Sequence, residues 1–489
     1  MPKMIQYFSL ALILPFLPLL PPVESKGALI SAARSISWLT SQSASDGALA
    51  SIRRNDRASR DSSGKLPRLA ATEHLERANI YMSNRAFAEA REHWQALIDY
   101  YPDDPLVSEA GLGIGRSHLH QRSYQQAHLV LDQNSQRFPN TKAGRESLNF
   151  SASALLRMGN ASEAVARYIA YTERYPNGER IETAHLNVID SLREAGRPDE
   201  ANTWVTRTRQ KFAGTATDTN ALFARLRLEV AESRWQQAVS TADELIKHPF
   251  HRGIYTSRAE VAYLRAYSLE QAKNRSAAFT AYLAIPDSID SYYGWLASER
   301  LLKLADKKQR EIVNERLARV REQVARAART YPAPNRYAIL KAANPRKLDG
   351  RFILAIIRQE SVFRPRAKSP AGARGLLQLT IDAAERYAPN AGIKGLRETD
   401  LYHPETSIVL GSEYLADLLR MFSGNLEAAA ASYNGGEDNI ARWLKRAKHQ
   451  DPGVFTAEIG FDETKGYVQK VMANYRAYRE LYNPNLVLK

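Results

Sequence analysis

The residue with the clearest chemical potential in this sequence is Glu360. The run from Phe352 to Ile357 is apolar at every position, which predicts a helical segment buried on all sides. Ile353 and Ile356 lie seven and four residues before Glu360, so its side chain continues a buried stripe. Burial disfavours the charged form of a carboxyl and raises its pKa, which lets it donate a proton near neutral pH. Glu360 is therefore a candidate general acid, with a solvated glutamate at a helix end as the alternative.

Other catalytic classes find little support in the sequence. It contains no cysteine, which excludes disulfides, thiol nucleophiles and thiolate-held metals. It also contains no GxSxG elbow, no HExxH pair and no phosphate-binding GxxxxGK[ST] loop. After residue 335 the only histidines are His403 and His449, too few for a histidine-based metal site. Carboxylate chemistry remains, and we expect neither a cofactor nor a metal.

Four short segments follow one another from Glu360 onward. They are ES with VF behind it at 360 to 363, KSPAGARGLLQL at 368 to 379, SYNGG at 432 to 436 and GFDETKGYV at 460 to 468. Together they resemble the soluble lytic transglycosylases, whose goose-type lysozyme-like domain cleaves bacterial peptidoglycan. That family has a Glu-Ser pair, a Gly-Leu-Met-Gln segment, an Ala-Tyr-Asn segment and a Glu-Thr-x-x-Tyr-Val segment, in the same order.

The resemblance implies a role for each matching residue. Glu360 would be the catalytic acid and base, and the residues expected to bind the saccharide are Ser369, Gln378, Tyr433, Asn434, Glu463 and Tyr467. Structural alternatives stay open for four of these residues. Tyr433 and Asn434 could simply end a helix. Gln378 could be a core amide, and Glu463 could be only a favourable charge at a helix N-terminus.

The resemblance also implies a reaction. The expected activity is cleavage between N-acetylmuramic acid and N-acetylglucosamine, leaving 1,6-anhydromuramyl ends and needing one catalytic carboxylate instead of the usual two. Two alternatives remain: a non-catalytic glycan-binding or envelope scaffold protein, and a muramidase that uses water.

The sequence departs from the family pattern at several positions. Leu377 replaces the usual methionine, and Thr380 and Ile381 stand where Met-Pro is common. Ser432 replaces an alanine, and Ser407 stands where asparagine is frequent. None of these changes removes a proton-transfer group, but the shape of the subsite near Gln378 is put in doubt.

The elements before this region repeat every 37 residues. The alanines at 90, 127, 164, 201 and 238 keep one register, and aromatic residues followed by proline recur at 101, 138 and 175 in the same frame. Small residues where paired helices approach, and an aromatic-proline stop behind the second helix, are typical of a helical solenoid. The alternative is chance spacing in helix-rich sequence. Because the period exceeds the roughly 34 residues of a tetratricopeptide repeat, we expect tetratricopeptide-like units.

The predicted fold is all-α, a tetratricopeptide-like helical solenoid followed by a mainly helical, lysozyme-like catalytic domain. We expect a signal peptide at 1–25, a flexible linker at 26–70, the helical repeats at 71–285, a helical linker domain at 286–335 and the catalytic domain at 336–489. The signal peptide is predicted from Lys3 and the apolar stretch 7–20, which is shorter than the roughly 20 residues of a spanning helix. An uncleaved anchor is the alternative.

The whole chain of 489 residues carries a formal charge of +15. A basic surface favours an acidic partner. With an export signal, the expected partner is peptidoglycan in the periplasm, and no nucleic acid, since no recognition signature supports it. The repeats offer a surface for other cell-wall enzymes. No integral membrane segment is expected after cleavage of the signal.

Overall fold

A computed structural model describes residues 46–489 of the chain. Within this range the regular structure is helical: no strand is formed, and the only β-type pairs are isolated bridges such as Lys368 with Arg374. The predicted all-α class is confirmed. The predicted signal peptide and the first part of the predicted linker lie outside the described residues.

The chain divides into two compact units. The described part of the first unit comprises residues 46–184 with Lys368–Arg374 and Gln378–Glu385. Its helices are α1 (Asp46–Ser59), α2 (Ala71–Ser83), α3 (Phe87–Tyr100), α4 (Val107–His120), α5 (Tyr124–Arg137), α6 (Lys142–Arg157) and α7 (Ala161–Arg174).

The second unit comprises His185–Ala367, Gly375–Leu377 and Arg386–Lys489. The helices that follow α7 are α8 (Ile181–Glu194), α9 (Pro198–Lys211), α10 (Ala216–Ala231), α11 (Trp235–Leu245), α12 (Arg258–Gln271), α13 (Arg275–Leu283), α14 (Tyr292–Leu304), α15 (Arg310–Arg326), α16 (Arg336–Ala343), α17 (Gly350–Ser361), α18 (Ile381–Tyr387), α19 (Pro404–Met421), α20 (Leu426–Gly435), α21 (Glu437–Ala447), α22 (Pro452–Glu458) and α23 (Asp462–Leu481).

The 37-residue period corresponds to one helical hairpin. All five register alanines lie on the second helix of their hairpin and have 0% of their surface exposed. Such a position has room only for a methyl group, because two helix backbones approach closely there. The aromatic residues 101, 138, 175 and 212 each follow the last residue of these second helices, as C-caps of α3, α5, α7 and α9.

The turn inside each hairpin has a left-handed residue at a fixed place. The residues with positive φ are Arg85, Arg122, Gly159, Gly196 and Ser233, again 37 residues apart, with φ between 56° and 85°. Each turn therefore requires the same backbone conformation, although only two of the five residues are glycine, which adopts it without strain.

The predicted flexible linker is wrong for its described helical part. Residues 46–59 form α1, which is anchored by Asp56. The buried Asp56 carboxylate accepts a hydrogen bond from Tyr81 at 2.5 Å, contacts His93 at 3.0 Å and pairs with Arg77. The anchor is polar, so a search for apolar periodicity cannot find it.

A buried ionic cluster in the second unit links four helices. Glu458 of α22 accepts hydrogen bonds from Arg193 of α8 at 2.5 Å and from Arg446 of α21 at 2.8 Å, and Arg227 of α10 lies 3.6 Å away. The side chains of Arg193 and Glu458 are each 2% exposed. The repeat helices α8 and α10 are thus joined by charge to α21 and α22.

None of the helices within residues 46–489 combines the length and the hydropathy that a membrane span needs.

Candidate active site

Helix α17 presents Glu360 at its C-terminal end. The apolar run 352–357 is buried as predicted, with each residue at most 2% exposed. Asp349 caps the N-terminus by accepting a hydrogen bond from the backbone N–H of Arg351. The helix ends at Ser361, because Val362 takes a left-handed conformation with φ of 48°. Glu360 therefore stands in the last turn of a helix whose preceding run is buried, and the residue itself is half-buried.

Helix α23 supplies the partner of Glu360. The hydroxyl of Tyr467 donates a hydrogen bond to Glu360 Oε1 at 2.7 Å, and the Tyr467 side chain is buried. Further along, Tyr475 packs edge-to-face on Phe352 and donates to Asp349 at 2.9 Å. The two helices are joined at both ends of α17, so the Glu360–Tyr467 pair is held by a packed interface.

The environment of Glu360 keeps its carboxyl protonated at neutral pH. Burial by the surrounding protein raises the pKa of Glu360 to about 8; the hydrogen bond from Tyr467 opposes that rise and the nearby charge of Glu463 adds to it. Glu463 itself is exposed, in the first turn of α23. A carboxyl that is neutral near pH 7 can donate a proton to a substrate bound beside it.

Tyr433 lies in the last turn of α20 and contacts the segment before Gln378. Its hydroxyl donates to the carbonyl oxygen of Leu377 at 2.7 Å, and its ring stacks on Tyr414 with centroids 5.0 Å apart. The N–H of the same Leu377 donates to Ser407 Oγ of α19 at 3.1 Å. Leu377, where methionine is usual, is thus fixed by hydrogen bonds at both its N–H and its carbonyl oxygen.

Asn434 links α20 to α23. Its Oδ1 accepts a hydrogen bond from Thr464 Oγ1 at 2.6 Å, and the close approach of the helices leaves no room for a side chain at Gly435, where a Cβ would lie 2.9 Å from Thr464. The helix continues through both Tyr433 and Asn434 to Gly435. Each residue makes a specific contact, which an ordinary helix end does not require.

The structure brings five of the seven predicted site residues into the second unit, and places the other two in segments of the first. Ser369 is buried, and its Oγ accepts a hydrogen bond from the N–H of Ala373 at 3.0 Å, which closes a tight loop. Gln378 has a left-handed backbone with φ of 46°. A non-glycine residue rarely takes this conformation without a local cause.

Sequence reasoning missed three side chains that support this arrangement. Tyr414 stacks on Tyr433, Ser407 holds the Leu377 N–H, and Lys465 is buried on α23. Ser407 carried a signal, since it occupies a position where the family frequently has asparagine. Lys465 carried none, because a lysine within a charged helical segment normally lies on the surface.

Two parts of the chain match known protein families. The family model described as "Transglycosylase SLT domain" matches residues 337–455, and "Tetratricopeptide repeat" matches residues 75–133 and 151–214. The first match includes Glu360, Ser369, Gln378, Tyr433 and Asn434. Glu463 and Tyr467 lie just beyond it.

Curated relatives agree with this assignment. The soluble lytic murein transglycosylase of Salmonella typhimurium is 39% identical over 129 residues, which is 26% of this chain and 20% of that protein. The same protein from Escherichia coli K12 is 38% identical over 129 residues, again 26% and 20%. The alignments thus cover about a fifth of the length of these relatives.

A solved structure supports the fold of the chain as a whole. The lytic transglycosylase Slt from Pseudomonas aeruginosa, determined as an inactive mutant, aligns over 86% of this chain and 75% of its own with a TM-score of 0.50 and 21% identity. The fold is accordingly a tetratricopeptide-like solenoid with a lysozyme-like domain. The chain carries a transglycosylase SLT domain together with tetratricopeptide repeats, and it is homologous to soluble lytic murein transglycosylases.

Proposed function

We propose that this protein is a lytic transglycosylase that cleaves peptidoglycan between N-acetylmuramic acid and N-acetylglucosamine. The observation that carries the proposal is the half-buried Glu360, whose carboxyl has a pKa raised to about 8 by burial and accepts a hydrogen bond from Tyr467 at 2.7 Å. A glycosidase acid must be neutral when the substrate binds and must reach the leaving oxygen. The raised pKa of Glu360 supports the first requirement, and its half-buried position in the last turn of α17 supports the second.

In the proposed reaction Glu360 acts twice. It first protonates the oxygen that leaves with N-acetylglucosamine, and becomes a carboxylate. That carboxylate then takes the proton from the muramyl C6 hydroxyl as the C6 oxygen bonds to C1, which closes the 1,6-anhydro ring. Because the nucleophile belongs to the same sugar, the attack is intramolecular and no second carboxylate is needed to activate water.

The remaining site residues have supporting roles in this proposal. Tyr467 would donate a hydrogen bond to both the protonated and the ionised carboxyl of Glu360. Its hydroxyl stays protonated because burial raises the pKa of Tyr467 well above the usual value. Ser369, Gln378, Tyr433, Asn434 and Glu463 would bind or orient the saccharide. The hydrogen bonds at the N–H and the carbonyl oxygen of Leu377 support a binding role for Gln378, because they fix the backbone directly before it.

The proposal extends to the organisation and location of the chain. We assign a repeat domain to 71–285, a helical linker domain to 286–335 and the catalytic domain to 336–489. Export to the periplasm by the 1–25 signal would bring the enzyme to its substrate. The net charge of +15 suits an acidic polymer. The repeat helices would guide glycan strands or receive other cell-wall enzymes.

Digestion of purified peptidoglycan tests the proposal. Wild-type protein is expected to release fragments whose muramic acid ends are lighter by one water than hydrolysed ends, as measured by mass spectrometry. Glu360→Gln keeps the volume and the hydrogen bond from Tyr467 but cannot pass a proton. Its rate should fall by about 10⁴-fold or more, because one residue serves both proton transfers.

Glu427→Gln is a matched control. Glu427 lies in the first turn of α20, burial raises its pKa to about 7, and it accepts a hydrogen bond from Tyr292 at 3.4 Å. It shares no hydrogen bond with Glu360, so its variant should cleave at the wild-type rate. Reducing ends from the wild type would make the protein a muramidase. Binding without cleavage would make it a scaffold, and an active Glu360→Gln variant would remove Glu360 from the mechanism.

A further inference from the structure

A lysine on α23 is buried against the repeat helices. The Nζ of Lys465 lies 3.0 Å from Glu260 Oε1 of α12, and the two side chains are 5% and 1% exposed. The same Nζ donates to the carbonyl oxygen of Tyr255 at 2.9 Å and stands 4.7 Å from the ring centroid of Phe223 of α10. The whole ammonium group is therefore bound by the elements that precede the predicted catalytic domain.

Glu260, the partner of Lys465, is also hydrogen-bonded on both of its carboxylate oxygens. Glu260 accepts hydrogen bonds from the hydroxyl of Tyr293 at 3.1 Å and from Thr256 Oγ1 at 2.8 Å. Tyr293 belongs to α14, so the ion pair and its hydrogen bond join α12 and α14 to α23. A buried charge of this kind is costly to desolvate and contributes little net stability. What such a pair can supply is a fixed geometry, since the hydrogen bonds of both charged groups are satisfied together in this arrangement.

Helix stability does not explain a lysine at this position. Lys465 is the fourth residue of α23, where the helix dipole favours negative charge and disfavours positive charge. Asp462 and Glu463 satisfy that preference, and Lys465 opposes it. The lysine must therefore be explained by what it binds.

The neighbours of Lys465 along the helix face the active site. Thr464 donates to Asn434 at 2.6 Å, and Tyr467 donates to Glu360 at 2.7 Å. Residues two apart on an α-helix point about 200° apart, so Lys465 and Tyr467 lie on opposite sides of α23. A rotation or shift of this part of the helix moves both contacts together.

We infer that Lys465 is a positioning residue: paired with Glu260, it holds α23 in the rotation at which Tyr467 reaches Glu360. The inference rests on the proposed function, and it makes the repeat helices part of the catalytic apparatus. The repeat region then does more than offer a binding surface. It sets the geometry of the acid through one buried ion pair.

The consequence can be read from the titration of Glu360. The groups that face it are Tyr467 and Glu463 of α23 and Tyr433 of α20, with Tyr414 of α19 behind them. Of these, the Tyr467 hydrogen bond lowers the pKa of Glu360. Loosening Lys465 should weaken that bond and move the pKa upward, in the same direction as removing the Tyr467 hydroxyl.

The experiment is a double-mutant cycle on the full chain with Lys465→Met, Tyr467→Phe and the double variant. Methionine keeps the apolar stem and removes the charge. Each single variant is expected to lower kcat roughly 10-fold with little change in KM, and to shift the basic limb of the pH profile upward. The double variant should lose little more than either single one, because both changes break the same contact.

Two further variants separate positioning from stability. Arg193→Met breaks an equally buried pair, between α8 and α22, whose hydrogen bonds do not involve α23. It should lower the melting temperature without changing kcat or the pH profile. Glu260→Gln keeps the volume of Glu260 and one acceptor oxygen but removes the charge that pairs with Lys465, so it replaces Lys465→Met if that protein does not fold.

A folded Lys465→Met protein with wild-type kcat and pH profile would overturn the inference, and so would losses that multiply in the double variant. Titration of the Glu360 carboxyl by NMR, with ¹³C-labelled glutamate, gives a readout that needs no substrate. An unchanged pKa of Glu360 in Lys465→Met contradicts the inference whatever the reaction. Absence of anhydromuramyl products from the wild type instead contradicts the proposed function alone.

Discussion

Two opposing effects set the acidity of Glu360. Burial and the charge of Glu463 favour the neutral carboxyl, whereas the hydrogen bond from Tyr467 favours the carboxylate. The hydroxyl of Tyr467 stays protonated, because burial raises its pKa well above the usual value. One donor thus serves both protonation states of the acid, which suits a residue that gives a proton and then takes one back.

The pH dependence of cleavage follows from this balance. Because the acid must be protonated when substrate binds, kcat/KM should be high below a pKa of about 8 and fall as the pH rises through it. Rates on soluble glycan fragments between pH 5 and 10 would check this. Glu427 is the competing source of a basic limb, since its pKa is raised to about 7. A limb that disappears in Glu427→Gln would assign the titration to that residue instead.

The sequence predicted individual site residues better than their contacts. Glu360 could be identified because the run 352–357 is apolar around the helix. Its bond to Tyr467 joins residues 107 apart, and no local pattern reports a contact of that range. Ser407 could be noticed only as a departure from a family pattern. That it holds the Leu377 N–H depends on how α19 packs, which the sequence does not show directly.

At the level of elements, the hairpin turns repeat more strictly in conformation than in sequence. The left-handed residue recurs at the same place in five hairpins, as Arg, Arg, Gly, Gly and Ser. Side chains other than glycine are strained in this conformation by about 1 kcal/mol. The repeat therefore tolerates strain at three turns and avoids it at two.

Substitution at these turns should change stability in opposite directions. Gly159 has φ of 85°, and a Cβ added there would have no neighbouring atom within 4 Å, so Gly159→Ala should cost about 1 kcal/mol through backbone strain alone. Arg122, with φ of 61°, is the matched case: Arg122→Gly should be neutral or stabilising by up to about 1 kcal/mol. Chemical unfolding of the full chain measures both. A destabilised Arg122→Gly protein would mean that its side-chain contacts outweigh the strain.

The period of the repeat could be predicted, but helix α1 ahead of the first hairpin could not. Buried alanines and aromatic caps have a fixed chemistry, and both were found by spacing. Helix α1 was missed because its anchor is the buried carboxylate of Asp56, held by Arg77, Tyr81 and His93. A polar side chain in a polar segment gives no sign that it will be buried.

Across the second unit, the repeat helices and the helices near the site share buried charges. Glu458 is surrounded by Arg193, Arg227 and Arg446. Burial would raise the pKa of Glu458, but the arginines outweigh it and lower the pKa. Three cations around one buried carboxylate make that carboxylate hard to replace, since its loss leaves Asp190, 3.4–3.6 Å from the same three arginines, as their main remaining counter-charge.

Glu458→Gln should therefore destabilise the protein by about 3–5 kcal/mol at neutral pH. A carboxyl with a lowered pKa stabilises the fold above its unfolded pKa, and this contribution is lost as the pH falls through the folded value. The difference between variant and wild type should accordingly shrink in acid. Urea unfolding at pH 7 and pH 3 measures it. Glu194→Gln, at the less buried edge of the cluster beside Arg442, should cost less, and an equal loss would contradict the special place of Glu458.

The position of Tyr467 has a consequence for the order of synthesis. A nascent chain that has been translated through α22 already carries Glu360 and all the repeat helices. It lacks the Tyr467 hydroxyl that bonds to Glu360, because Tyr467 lies in α23, 107 residues after Glu360. Lys465, which meets Glu260, arrives with the same helix. The Glu360–Tyr467 pair is therefore completed only when α23 has been made, so a chain that stops before α23 lacks the hydrogen bond that lowers the pKa of Glu360.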